Sequence, residues 1–112
     1  MESEDRKELE TLLDIVINQI PSYTNMIHSA NWDVNFDDCI FGMVYHSFVA
    51  KSTEYLKNKL TDTEHATNAE STFEMMNSVS EVFNNRLADI KQAIVSALDL
   101  FLITTFQLES YF

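Results

Sequence analysis

The stretch from Arg86 to Leu108 reads RLADIKQAIVSALDLFLITTFQL. It holds no glycine or proline, and Leu87, Ile90, Ile94, Leu98, Phe101 and Leu108 recur at the spacing of one helix face. Val95, Leu102, Ile103 and Phe106 carry the apolar surface most of the way round. A helix apolar on nearly every side is either central in its bundle or pressed against another subunit. Asp99 is the one charge between Ala93 and Phe106, and with Gln92 and Ser96 it continues a narrow polar line. That line reads as a solvent-facing strip rather than as the setting of a buried functional carboxylate. The apolar run is shorter than the roughly 20 residues that a membrane span needs.

Three more segments upstream carry helical patterns. Ser3 to Ile20 has Leu9, Leu12, Leu13, Val16 and Ile20 in register, with Ser3 as N-cap and Glu4 and Asp5 in the dipole-favoured first turn. Pro21 ends or kinks this helix, because it disfavours helical geometry at the residue before it. Pro21 to Asn35 is the least regular part, with room for a short helix around Ser22 to Ser29. Phe36 to Leu60 follows, with a stripe of Phe41, Val44, Tyr45, Phe48, Tyr55 and Leu56, and with Asp33 or Asn35 as its cap. Gly42 lies inside it at a cost of about 1 kcal/mol against Ala, a position that often admits a second helix closely. Asp62 to Asn84 comes next, introduced by the capping box of Thr61 and Glu64. Its expected inward face is Ala66, Ala69, Phe73, Met76, Val79 and Phe83. Asn84-Asn85 is the expected break, one Asn closing a helix in the left-handed conformation and the other capping the next.

Long helices with short links favour antiparallel neighbours, so the predicted fold is all-α, an antiparallel four-helix or five-helix bundle. The 112 residues suffice for one domain with one core. A single Gly and a single Pro are poor material for sandwiches, barrels or glycine-rich phosphate loops.

The net charge is −11, from 18 acids against 7 bases. Direct binding of nucleic acid or of an anionic membrane is disfavoured, because phosphates are repelled, whereas a basic partner is attracted. Solubility alone also accounts for such a charge. Cys39 is the only cysteine, so no internal disulfide forms, and the acidic start Met1-Glu2-Ser3-Glu4-Asp5 is the opposite of a signal peptide. These features place the protein in the cytoplasm.

Catalytic and metal chemistry finds little support. His28, His46 and His65 have no mutual ligand spacing, and His46 with Cys39, seven residues apart, supplies too few ligands for a metal. His46 reads as a half-buried helix residue and Cys39 as a small core residue. No serine or cysteine is marked as a nucleophile by a neighbouring base. Asp37 and Asp38 read as first-turn acids. No catalytic residue, metal or cofactor is assigned.

Two faces are candidates for binding. The first is a row of Glu70, Glu74, Asn77 and Glu81, spaced four, three and four, in a stretch from Thr61 to Asn85 that has five acids and no lysine or arginine. Like charges one turn apart repel by a few tenths of a kcal/mol, so such a row either suits a basic partner or is simply a solvated face. The second is the segment holding Trp32, Asp33, Phe36, Asp37 and Asp38. It joins the only Trp to three acids, and Trp leads the residue types that anchor interfaces. The competing expectation is that Trp32 and Phe36 fold back and plug the end of the bundle. From Glu8 to Ala50 there is again no lysine or arginine, an uneven charge of the kind that steers a binder.

Three pieces also carry a resemblance: Ile40-Phe41-Gly42 with Phe48, Phe73-Glu74-Met75-Met76, and the helix from Ile90 to Phe101 with its acid at Asp99. In these the chain resembles an uncharacterised group of small all-helical bacterial proteins associated with polymorphic-toxin immunity proteins. The likeness covers about two-thirds of the chain, leaves out the N-terminal part and the Trp32 segment, and is one of pattern rather than of an invariant motif. It implies a protein that binds and neutralises a toxin, and it carries over no catalytic residue.

The leading expectation is therefore a non-enzymatic immunity or inhibitor protein that occludes a basic site on a toxin, nuclease or nucleic-acid-binding protein. A phage-encoded inhibitor of a nucleic-acid-binding defence protein has the same sequence signature. A different class is a self-associating structural or regulatory protein, a homodimer through the helix of residues 86–108. Last comes an enzyme or small-ligand binder with a pocket near His46, Tyr45 and Asp99.

Overall fold

The structure, a computed structural model, describes residues 3–60 and 69–110, with side chains over residues 3–59 and 73–102. The described chain is all-α, a bundle of five helices. They are α1 (Ser3–Asn18), α2 (Ile20–Ala30), α3 (Phe36–Leu60), α4 (Ala69–Asn85) and α5 (Leu87–Ser110).

The five helices are laid out as three rods. Pro21, in the first turn of α2, lacks the N–H that Ile17 would accept, so α1 cannot continue straight. The hydrogen-bond ladder nevertheless crosses the joint: Gln19 N–H donates to Val16 C=O at 3.0 Å and Tyr23 N–H to Gln19 C=O at 3.1 Å. One tightened turn thus interrupts the regular ladder without ending the rod. The joint of α4 and α5 is built the same way, with Arg86 N–H donating to Phe83 C=O at 3.1 Å and Ile90 N–H to Arg86 C=O at 3.0 Å. Asn84 and Asn85 do not adopt the expected left-handed cap, since Asn31 is the one non-glycine residue of positive φ among those described. A helix running through Ala69–Ser110 is about 63 Å long at 1.5 Å per residue. The longest dimension of the molecule is 63 Å, against 24 and 19 Å across.

The middle rod, α3, runs opposite to the other two. Asp5 near the start of α1 meets Tyr55 and Lys59 near the end of α3, whereas Tyr23 in α2 meets Ser47 further up. Arg6 pairs with Glu81 and Asp14 with Arg86, so α1 and α4 run in the same direction. It is α3, not α5, that packs against all four other helices. Its buried residues Ile40, Val44, Phe48, Ser52 and Leu56 recur every four residues. Each such step advances the row by about 40°, so the buried line winds round α3 by about 160° along its length. A central helix needs such a line, because its contacts change from α2 and α5 at one end to α1 and α4 at the other. Of the two places expected for the helix of residues 86–108, the centre of the bundle is thus taken by α3 instead. Among the described side chains of α5, Ile90, Ile94 and Ala97 are buried, while Val95, Leu100 and Leu102 face solvent.

Two further expectations change. The inward face of α4 is Met75, Val79, Val82 and Phe83, while Phe73 is 68% exposed and Met76 39%. The helix has apolar residues on two faces, and its rotation is set by Phe83. That ring meets Phe41 and Tyr45 edge-on, with centroids 5.6 and 5.0 Å away, and stacks on Phe48 at 5.9 Å. Gly42 is exposed and a Cβ built on it would meet nothing within 4 Å, so it admits no close helix. The segment Asp62 to Asn68, with the Thr61 and Glu64 capping box, lies outside the described residues.

Candidate partner-binding face

The Trp32–Asp38 segment is positioned by a cap at each side. Asn31 takes the left-handed conformation, φ 57° and ψ 41°, and its N–H closes α2 on His28 C=O at 3.1 Å. Asn tolerates this conformation because its short polar side chain adds local hydrogen bonding. Four residues later Asn35 caps α3: its Oδ1 accepts the Asp38 N–H at 3.0 Å. Of the two cap candidates Asp33 and Asn35, Asn35 holds the position, which leaves the Asp33 carboxylate free of it.

Between these caps the chain does not fold back. Trp32 is 59% exposed, Val34 44% and Phe36 36%. Trp32 is therefore not a plug, and Phe36 only partly covers the end of the bundle, with its ring 6.1 Å from that of His28. His28 in turn lies 4.2 Å from the ring of Phe101 on α5. Asp33, Asp37 and Asp38 are all exposed, and none of them forms an ion pair among the described residues.

Beside the segment, α3 and α5 enclose two grooves that both touch Asp37. One, of about 480 Å³, is lined by Asp37, Asp38, Phe41, Lys91, Ile94 and Val95. The other, of about 350 Å³, is lined by His28, Asn35, Phe36, Asp37, Leu98, Phe101 and Leu102. Neither is lined by His46, Tyr45 or Asp99. His46 is exposed rather than half-buried, Asp99 is exposed as expected of a polar strip, and Tyr45 leans on Phe83. Among the described residues no group of three or more His, Cys, Asp or Glu is placed to hold a metal ion. Among the same residues no helix is long and apolar enough to cross a membrane.

The α4 row is a separate surface. Glu74, Asn77 and Glu81 are exposed, and the side chain of Glu70 lies outside the described residues. Glu81 is not uncompensated, because Arg6 donates to its Oε1 at 3.0 Å. The row lies toward the start of α1, whereas Trp32 stands at the opposite end of the molecule, beyond the first turn of α3. The two candidate faces are not brought together.

Acid–base contacts elsewhere tie the rods to one another. Asp5 is buried against Tyr55 and Lys59, with the Tyr55 hydroxyl donating to it at 3.1 Å. Partial burial and this hydrogen bond raise the Tyr55 pKa above its ordinary 10.0. Arg86 donates to Asp14 and to Asp89, the latter at 3.2 Å, and these bonds raise its pKa further against some desolvation. Arg86 thus stays charged and fastens the joint of α4 and α5 to α1.

No family model matches the chain, and neither a curated protein nor a solved structure matches it.

Sequence reasoning singled out Trp32, Asp33, Phe36, Asp37 and Asp38 but missed His28, Phe101 and Leu102 as their neighbours. Leu102 was visible as excess apolar surface on its helix. Its proximity to Phe36 depends on the direction in which α5 lies along α3, and that leaves no mark at any one position.

Proposed function

We propose that this protein is an acidic helical binder that neutralises a basic macromolecular partner, as an immunity or inhibitor protein does, in the cytoplasm and without catalysis or cofactor. Its partner belongs to the toxins, nucleases or nucleic-acid-binding proteins, whose functional sites are basic. The observation that carries this reading is the Trp32–Asp38 segment: an exposed Trp with three exposed carboxylates that form no ion pair among the described residues. Exposed aromatic anchors rimmed by charge are what protein interfaces use. Glu74, and Glu81 as far as Arg6 leaves it uncompensated, extend the field along the molecule and assist encounter rather than contact.

Affinity capture from host lysate tests it, with the captured protein identified and its charge known. Wild type is expected to retain one basic protein, released by about 0.5 M salt. Trp32→Ala and the triple variant D33N/D37N/D38N are expected to lose it, and E74K/E81K to weaken it less. Capture of no basic protein from a lysate known to contain the neighbouring gene products would refute the reading. A second reading, self-association through α5, is favoured by its exposed Val95, Leu100 and Leu102. Sedimentation over a range of concentrations decides between them, since a strict monomer removes it.

A further inference from the structure

The grooves beside Trp32 define the partner's shape as well as its charge. Three rods surround the core where a four-helix bundle has four, and the antiparallel pair α3 and α5 leaves an outward furrow. Its two compartments meet at Asp37 and are floored by Phe41, Ile94 and Val95 in one and by Leu98, Phe101 and Leu102 in the other. About six residues of α5 separate the two floors, roughly 9 Å at 1.5 Å per residue. On a ligand helix, side chains seven residues apart are about 10 Å apart and share a face. Each compartment has room for one large apolar side chain. Asp37 lines both compartments, and Asp38 and Lys91 line the first.

From this geometry we infer that the furrow receives a basic amphipathic helix of the partner, lying where a fourth rod would lie. It presents two large apolar residues two turns apart, with lysine or arginine between them facing Asp37 and Asp38. A helix laid by its apolar face in a hydrophobic groove is a recurrent mode of recognition. A second copy of this chain is the poorer occupant, because it brings a net charge of −11 to a furrow lined by Asp37 and Asp38. The inference rests on the proposed basic partner and adds its form.

The test uses the full-length protein and three capped helical peptides that lack tryptophan, followed through Trp32 fluorescence and by calorimetry. One is a lysine–alanine helix with two leucines seven residues apart. The second has the same composition with the leucines on opposite faces, and the third replaces every lysine by glutamate. The patterned basic peptide is expected to bind at least about tenfold more tightly than either control, a difference of about 1.4 kcal/mol. Val95→Glu and Leu102→Glu, both at exposed positions, are expected to abolish that tenfold preference. If the two basic peptides bind equally and only D37N/D38N weakens them, the furrow inference is overturned and the basic-partner reading stands. If the acidic peptide binds as well as the basic ones, both are overturned. Dimerisation that the V95E or L102E change abolishes, with no peptide bound, assigns the furrow to a second copy and likewise overturns the inference.

Discussion

Ser52 is fully buried in α3, and its Oγ has no hydrogen-bond partner among the described residues. It sits one turn from Phe48 and one from Leu56, where any apolar side chain of similar size would serve the core. A desolvated hydroxyl without a partner costs about 1–3 kcal/mol. Ser52→Ala is therefore expected to raise stability by about 1 kcal/mol, seen as a higher urea midpoint at unchanged slope, and a lower midpoint would mean the hydroxyl is bonded after all. Tyr55 gives a prediction in pH. Its folded pKa lies above the unfolded 10.0, so the contribution is complete below pH 10 and is lost as pH rises through the folded value. Between pH 8 and 11 the wild type is expected to lose more stability than Tyr55→Phe, measured by denaturant midpoints. Neither role stood out in sequence. Ser52 is a polar residue on the buried row of α3, and Asp5, the partner of Tyr55, reads as an ordinary first-turn acid.

Among the elements, α1, α3, α4 and α5 were legible from apolar spacing and α2 only as room for a short helix, and the boundaries of α1, α3 and α5 came out within two residues of expectation. What was not legible was rotation. In α4, Phe73 and Val79 belong to different faces that a 3.6-residue period serves almost equally well, and only the seat of Phe83 among Phe41, Tyr45 and Phe48 chooses between them. Caps and breaks carry their own predictions. Asn31 holds a left-handed conformation that costs other side chains roughly 1–2 kcal/mol, so Asn31→Ala is expected to lose about 1 kcal/mol and Asn31→Gly to lose none. Gly42 is exposed in the interior of α3 with open space at its Cβ position. Gly42→Ala is expected to gain about 1 kcal/mol, the helix-propensity difference. Thermal or chemical denaturation of each variant checks both, and a loss in G42A would show that something approaches the glycine.

The whole molecule is a long one. Its radius of gyration is 17.4 Å, whereas a compact chain of this length has about 13 Å. Length spreads the −11 charge and exposes more surface per buried residue. The charge also opposes folding. Four ion pairs link the described residues, each of them with at least one well-exposed partner, and such pairs contribute about 0–1 kcal/mol each. Salt screens these few attractions and the larger self-repulsion together. The repulsion is the greater, so the melting temperature is expected to rise by several degrees between about 20 mM and 0.3 M NaCl. A fall on that titration would mean that the ion pairs outweigh the excess charge.

The residues alone determined that the chain is helical, acidic and marked by an aromatic among acids, because periodicity, charge count and cap chemistry are local properties. Two joints crossed by the hydrogen-bond ladder turned five helices into three rods, and only the packed structure decided that, since Gln19 and Arg86 carry no local signal of continuation rather than a break. It also decided that Trp32 stays in solvent, that Glu81 is paired and that Phe36 lies near Phe101. Those outcomes depend on which way each rod runs and how it is rotated, and such choices are made by side chains far apart in sequence meeting in the core.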